Sequence, residues 1–147
     1  MPLKKTAFLL AALATVATTT TGCASNRATA TFDPTVNLGR LKAMHVAKQP
    51  KDDNAIDVLI AEKLRSRGYY VTTGREKPSA VDAVVTYIDR WRWDITMYML
   101  ELTITIRDPG NDYPLASGKS YHTSLARKSP SEMVDEVLSN IFKEAGR

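Results

Sequence analysis

Between Asp82 and Asp108 apolar and polar positions alternate with a period of two. Tyr98, Leu100, Leu102, Ile104 and Ile106 fall on one face, and Met97, Met99, Glu101, Thr103, Thr105 and Arg107 on the other. Alternation among β-branched and aromatic residues predicts a strand. Just upstream, Ala83, Val85, Tyr87, Trp91 and Trp93 oppose Val84, Thr86, Ile88, Arg90 and Arg92 in the same way. A turn at Trp93–Thr96 joins the two halves into a long antiparallel hairpin with one buried face. In that register Tyr87 faces Leu102, Val85 faces Ile104 and Trp91 faces Tyr98. A slip of one residue would set Asp89 against Glu101 and turn the core row onto threonines, so the pattern specifies the pairing.

Other elements flank this hairpin. Leu41–Ala47 predicts a first strand, broken by Gln49-Pro50-Lys51-Asp52-Asp53-Asn54. Ile56, Leu59, Ile60 and Leu64 then recur at helical spacing. Acidic residues in the first turn and Arg65 and Arg67 in the last suit the helix dipole, and Gly68 supplies a stop. Tyr69–Thr73 predicts a second strand, and Gly74–Ser79 a polar loop. After the hairpin, Pro109-Gly110-Asn111-Asp112 is a turn, and Leu115–Ser124 predicts the last strand, its small residues lying beneath a helix. Ser129-Pro130-Ser131-Glu132 opens that helix as a capping box with proline in its first turn. Val134, Val137, Leu138, Ile141 and Phe142 line one side of it, and it runs to about Glu144. Strand, helix, several strands and helix imply an α+β, two-layer sandwich: two helices packed on one face of a four- to five-stranded mixed sheet with a long central hairpin.

The N-terminus carries a different pattern. Lys4 and Lys5 precede 12 mostly apolar residues, Thr6–Ala17. Such a run is short for a bilayer span, which needs about 20 apolar residues, and fits a secretory signal. It ends in small residues, Thr20-Thr21-Gly22-Cys23. These resemble the lipobox of bacterial lipoproteins, in which the cysteine is acylated and becomes the first mature residue. Thr20 stands where that pattern usually has leucine. Cleavage after Ala24 by ordinary secretion is the alternative, since Gly22-Cys23-Ala24 is small-x-small. The expected organisation is a signal peptide over 1–22, a lipidated Cys23 with a tether over 23–31, and one domain over 32–147.

Two further stretches carry a resemblance. The run Glu62-Lys63-Leu64-Arg65-Ser66-Arg67-Gly68-Tyr69-Tyr70-Val71 ends a helix in Arg-Gly-Tyr before a strand, and Ala80-Val81-Asp82-Ala83-Val84-Val85 opens a long strand. With the lipobox, this order is similar to that of small Gram-negative outer-membrane lipoproteins, such as the lipopolysaccharide-assembly and penicillin-binding-protein-activator lipoproteins. The resemblance implies a binding or assembly role and carries no catalytic residue across. Ala24, rather than aspartate, follows the cysteine, which by the same resemblance favours the outer membrane, periplasmic face.

Charge and candidate chemistry narrow the function. The formal net charge is +4; without Lys4 and Lys5 it is +2, from 18 basic and 16 acidic side chains. That balance gives no argument for nucleic acid. The single cysteine excludes an intramolecular disulfide and a cysteine-based metal cluster. His45 and His122 have no ligand partner at metal spacing, so no metal or cofactor is expected. Gly118-Lys119-Ser120 resembles the end of a phosphate-binding loop, but Tyr113 stands where the first glycine belongs. Ser120, His122 and Asp89 form a nominal triad with no nucleophile elbow to support it.

The remaining feature is the hairpin tip, where Arg90, Arg92, Trp93, Met97 and Met99 combine residue types enriched at interfaces. The bland reading makes Trp91 and Tyr98 the end of the core, with arginines and methionines on a solvated face. The sharper one makes the tip a contact site. The expectation is therefore a non-enzymatic, lipid-anchored accessory or assembly subunit that binds an envelope protein through this tip. The alternative is a carrier or sensor of a hydrophobic or lipid ligand, and arginine forks also suit the phosphates of a glycolipid.

Overall fold

The computed structural model describes residues 27–146 of the 147; Cys23 and the signal segment 1–22 lie outside the described residues. Six strands form one mixed sheet: β1 (Arg27–Phe32), β2 (Ala43–Ala47), β3 (Tyr70–Gly74), β4 (Ala83–Asp94), β5 (Thr96–Arg107) and β6 (Pro114–Tyr121). Their spatial order is β1-β6-β5-β4-β2-β3. Helices α1 (Ile56–Ser66) and α2 (Pro130–Ala145) pack on one face, over a core that includes Met44, Val85, Ile104, Ile60, Leu138 and Ile141. The fold is α+β with two helices on an open mixed sheet, and the sheet has six strands rather than four or five.

The extra strand is β1, which occupies most of the expected tether. Its sequence, Arg-Ala-Thr-Ala-Thr-Phe, alternates small residues with threonines and carries little apolar weight. It is stabilised from outside itself. Ala28, Ala30 and Phe32 pair with Ser120, Gly118 and Ala116 of β6, and α2 covers them. A Cβ at Gly118 would stand 2.8 Å from Ile141 Cγ1 and 2.9 Å from Val137 Cγ1. The small residues of β6 thus let α2 seat directly on the sheet.

The central hairpin forms, but its pairing differs from the expected one. Along the body Tyr87 pairs with Ile104 and Val85 with Ile106, a shift of two residues that keeps the same side chains on the core face. At the far end the strands close around Ile95 alone, with Asp94 opposite Thr96, Trp93 opposite Met97 and Trp91 opposite Met99. A one-residue turn and the body register have opposite parity, so a bulge between Arg90 and Trp91 reconciles them. Leu100 is the unpaired residue, and its carbonyl instead accepts the His122 amide at 2.9 Å. Beyond the bulge the alternation of β5 reverses. Met99 turns into the core, while Leu100 is only half-buried.

Caps and anchors hold the rest. Ser129 and Glu132 complete a reciprocal capping box on α2. At α1 the N-cap Ala55 offers no side chain, and Asp52 serves instead, accepting from the Asp57 amide at 3.1 Å and the Tyr87 hydroxyl at 2.7 Å. The Asp82 carboxylate accepts both the Lys42 and Ala43 amides, at 2.7 and 2.8 Å, fixing the start of β2 against β4. These two amides hold the Asp82 carboxyl below the usual carboxylate range.

Candidate functional site

Beyond the level of Glu101 and Tyr121, where β6 ends, β4 and β5 continue as a two-stranded arm. The core row runs off the end of the core along this arm. Trp91 is half-buried against the core, its Nε1 donating to Asp89 at 2.6 Å, and Trp93 and Met97 follow as an exposed cross-strand pair. Trp93 is 68% exposed, Met97 57% and Ile95 86%. Arg90 and Arg92 are also exposed. Of the expected tip residues, the structure gathers Arg90, Arg92, Trp93 and Met97 on the arm. Met99 is the exception: it is 1% exposed, because the bulge turns it inward, and it has no surface to offer a partner.

Sequence reasoning missed two members of the tip. Ile95 occupies the turn at φ 63°, left-handed backbone that a β-branched residue rarely adopts. Leu125 lies in a short 3-10 turn, Ser124–Ala126, and is 94% exposed. Arg127, two residues on, ties that turn to the arm. Its guanidinium stacks over Tyr98 at 4.4 Å and donates to the Asp94 carbonyl at 2.7 Å and Thr96 Oγ1 at 2.6 Å. It also lies 3.4 Å from the Asp94 carboxylate. The distance in sequence between Arg127 and Asp94 hides this contact from any local pattern.

The nominal triad resolves differently. Asp89 is engaged by Trp91, and Ser120 and His122 converge on Glu136 of α2 instead. Ser120 Oγ donates to Glu136 Oε2 at 2.5 Å, His122 Nε2 lies 2.7 Å from the same oxygen, and Lys128 Nζ donates to Oε1 at 2.8 Å. Burial pushes the Glu136 carboxyl up, but the hydrogen bonds from His122, Lys128 and Ser120 outweigh it and bring it to about 2. The serine gives its proton to the carboxylate rather than to the histidine, and both Ser120 and His122 are buried. Buried and without a hydrogen bond to His122, Ser120 is not placed as the nucleophile of a serine–histidine–aspartate triad. The cluster pins β6 to α2. His45, on the helix-free face, is likewise buried between Thr72 Oγ1 at 2.9 Å and the Gly74 carbonyl at 3.1 Å. Among the described residues no three histidine, cysteine, aspartate or glutamate side chains gather as metal ligands.

The helix-free face of the sheet is polar. A groove of about 450 Å³ crosses β1, β6 and β5, lined by Arg27, Thr29, Glu101, Lys119 and Tyr121. Glu101 sits between Lys119 Nζ at 2.7 Å and Arg90 Nε at 3.8 Å, so its charge is already neutralised by neighbours.

No protein-family model matches the chain, and no curated protein matches it in sequence. Among solved structures, a point variant of the PelC dodecamer from Paraburkholderia phytofirmans superposes with a TM-score of 0.59 at 18% identity, covering 79% of this chain and 96% of that one. The PelC dodecamer from the same organism, in a second crystal form, gives 0.54 at 14% identity, covering 82% and 96%. A minor lipoprotein from Acinetobacter baumannii aligns at a TM-score of 0.40 and 14% identity, over 71% of this chain and 92% of that one, too distant to bear on the fold. At these identities the likeness to PelC is one of fold.

Proposed function

We propose that the protein is a lipid-anchored outer-membrane lipoprotein facing the periplasm, a non-enzymatic assembly subunit whose protein partners include further copies of itself. One observation carries this reading: among the described residues the sheet ends on both sides in an unpaired strand edge, β1 at one side and β3 at the other. Natural sheets guard such edges with lysine, proline or bulges, because a bare edge invites another chain to pair. Neither β1 nor β3 has a proline or a lysine, and the single charge in either is Arg27 at the first position of β1. On β3 the outward Val71 carbonyl already accepts from the Arg65 guanidinium at 2.7 Å, so β1 is the barer edge. The two edges are unlike, so a contact between them is head-to-tail, which closes into a ring when the rotation between copies divides the circle and otherwise runs on as a filament. The two PelC structures that share this fold are dodecamers, which supports the same direction. Cys23 provides the anchor, and Arg90, Arg92, Trp93 and Met97 are attachment residues at the end of the arm.

The carrier reading has less behind it. Gly118 is pressed against Ile141 and Val137, so helix and sheet meet there without room for a ligand. Native mass spectrometry of the detergent-extracted full mature protein tests the assembly: a discrete oligomer is expected, and a monomer at micromolar concentration overturns it. The mass of the N-terminal peptide tests the anchor, and a mature chain beginning after Cys23 removes it.

A further inference from the structure

The direction in which the chain enters the sheet has a bearing on what the arm touches. β1 is antiparallel to β6, and Arg27 pairs with Tyr121, which in turn pairs with Glu101. Arg90 pairs with Glu101 in the same row. The N-terminal end of β1 therefore lies at the end of the sheet from which the arm projects. From that row the arm continues for the four residues Trp91–Asp94 to its turn, a rise of about 14 Å at roughly 3.4 Å per residue. Cys23 is four residues before Arg27, and an extended chain of that length spans at most about 14 Å. An acyl anchor on Cys23 and the arm's turn can thus lie at the same depth.

The composition of the turn agrees with that placement. Trp93, Ile95 and Met97 at the arm's end and Leu125 beside it are four large apolar side chains, each more than half exposed. Arg90 and Arg92 stand behind them toward the body. The Asp94 carboxylate, which would oppose entry into an apolar or anionic layer, is turned toward Arg127. Tryptophan belongs at the boundary between headgroups and acyl chains, and arginine behind it meets lipid phosphate.

We infer that the arm is a membrane-docking spike, a second point of attachment to the bilayer that holds Cys23, with Trp93, Ile95, Met97 and Leu125 entering the interfacial layer and Arg90 and Arg92 meeting phosphate. The inference rests on the lipid-anchor reading for its geometry, and the ligand chemistry is that of an anionic phospholipid surface. Two or more acyl chains on a lipobox cysteine already anchor stably, so the arm adds a second contact rather than the anchoring itself. Two fixed points also set the orientation of the domain, which one flexible anchor does not.

The test uses the mature acylated chain in vesicles of phosphatidylethanolamine and phosphatidylglycerol with brominated acyl chains. Trp91→Phe leaves Trp93 as the sole tryptophan, and its emission should fall at least twofold relative to unbrominated vesicles. Trp93→Phe leaves the half-buried Trp91, whose emission should change little. Ile95→Asn in the Trp91→Phe background should remove most of the quenching. Unquenched Trp93 in acylated, vesicle-bound protein overturns the inference. So does a change in Trp93 emission that requires an added envelope-protein fraction instead of lipid, which makes the arm a protein contact. Quenching on vesicle addition in a chain whose N-terminal peptide proves unacylated upholds the spike and removes the anchor reading alone.

Discussion

At Ile95 the backbone takes φ 63°, where a β-branched side chain crowds its own carbonyl. Left-handed geometry costs an ordinary residue roughly 1–2 kcal/mol, and asparagine or glycine relieves it. The side chain recovers nothing within the fold, being 86% exposed. Ile95→Asn should therefore raise stability by about 1 kcal/mol, read as a higher urea midpoint and a melting temperature raised by a few degrees, while weakening attachment of the arm. A gain in stability with a loss of contact separates a residue kept for its surface from one kept for the fold. Glu136 is the opposite case. Its carboxyl is depressed from 4.5 to about 2, so the stability it confers is fully present above pH 4.5 and is lost as pH falls toward 2. Denaturant melts from pH 6 to 2.5 should show the native chain losing about 2 kcal/mol more than Glu136→Gln, less than the full shift implies because water screens the carboxylate. The other depressed carboxyls, Asp82 and Asp135 among them, add their loss to both chains. Glu136→Gln should start lower and fall less over the same interval.

At the scale of elements, α2 and the hairpin differ in how far local pattern carries them. Ser129-Pro130-Ser131-Glu132 and the apolar stripe from Val134 to Phe142 state a helix in adjacent residues, and the helix is found at Pro130–Ala145. The hairpin's existence is equally plain in the sequence, but its last third is not. Where the turn closes depends on whether the chain accepts strain at Ile95, and nothing in the alternation records that acceptance. Once it is accepted, the bulge follows, and the residues of β5 beyond it change the sides that the alternation gave them. Strand β1 is illegible for another reason, since its burial is conferred by Gly118, Ala116 and α2, far along the chain. That dependence is testable. Gly118→Ala should cost about 1–3 kcal/mol by overpacking against Ile141 and Val137. Ile141→Ala in the same chain should cost less than the two changes summed, because the added methyl fills part of the space vacated.

At the scale of the molecule, the polar helix-free face, the β1 and β3 edges and the apolar arm are four distinct surfaces. The tip is visible in Arg90-Trp91-Arg92-Trp93, and its completion by Leu125 through Arg127 is not, since that clasp joins positions 33 apart. Disrupting it gives a further expectation. Arg127→Ala removes the stacking on Tyr98 and two hydrogen bonds to the turn, so amide hydrogen exchange at Thr96 and Met97 should accelerate while the protection of α2 is unchanged. The pairing of β1 with β6 bears on how the domain is made. During synthesis β1 emerges well before β6, and until β6 arrives it has no strand to lie against and no helix above it. Closure by these two strands is a long-range event that pays its loop entropy late. Strand β1 therefore depends on β6 for its pairing and on α2 for its cover, and whenever β1 is unpaired the side of β6 that it occupies is open to a neighbouring molecule.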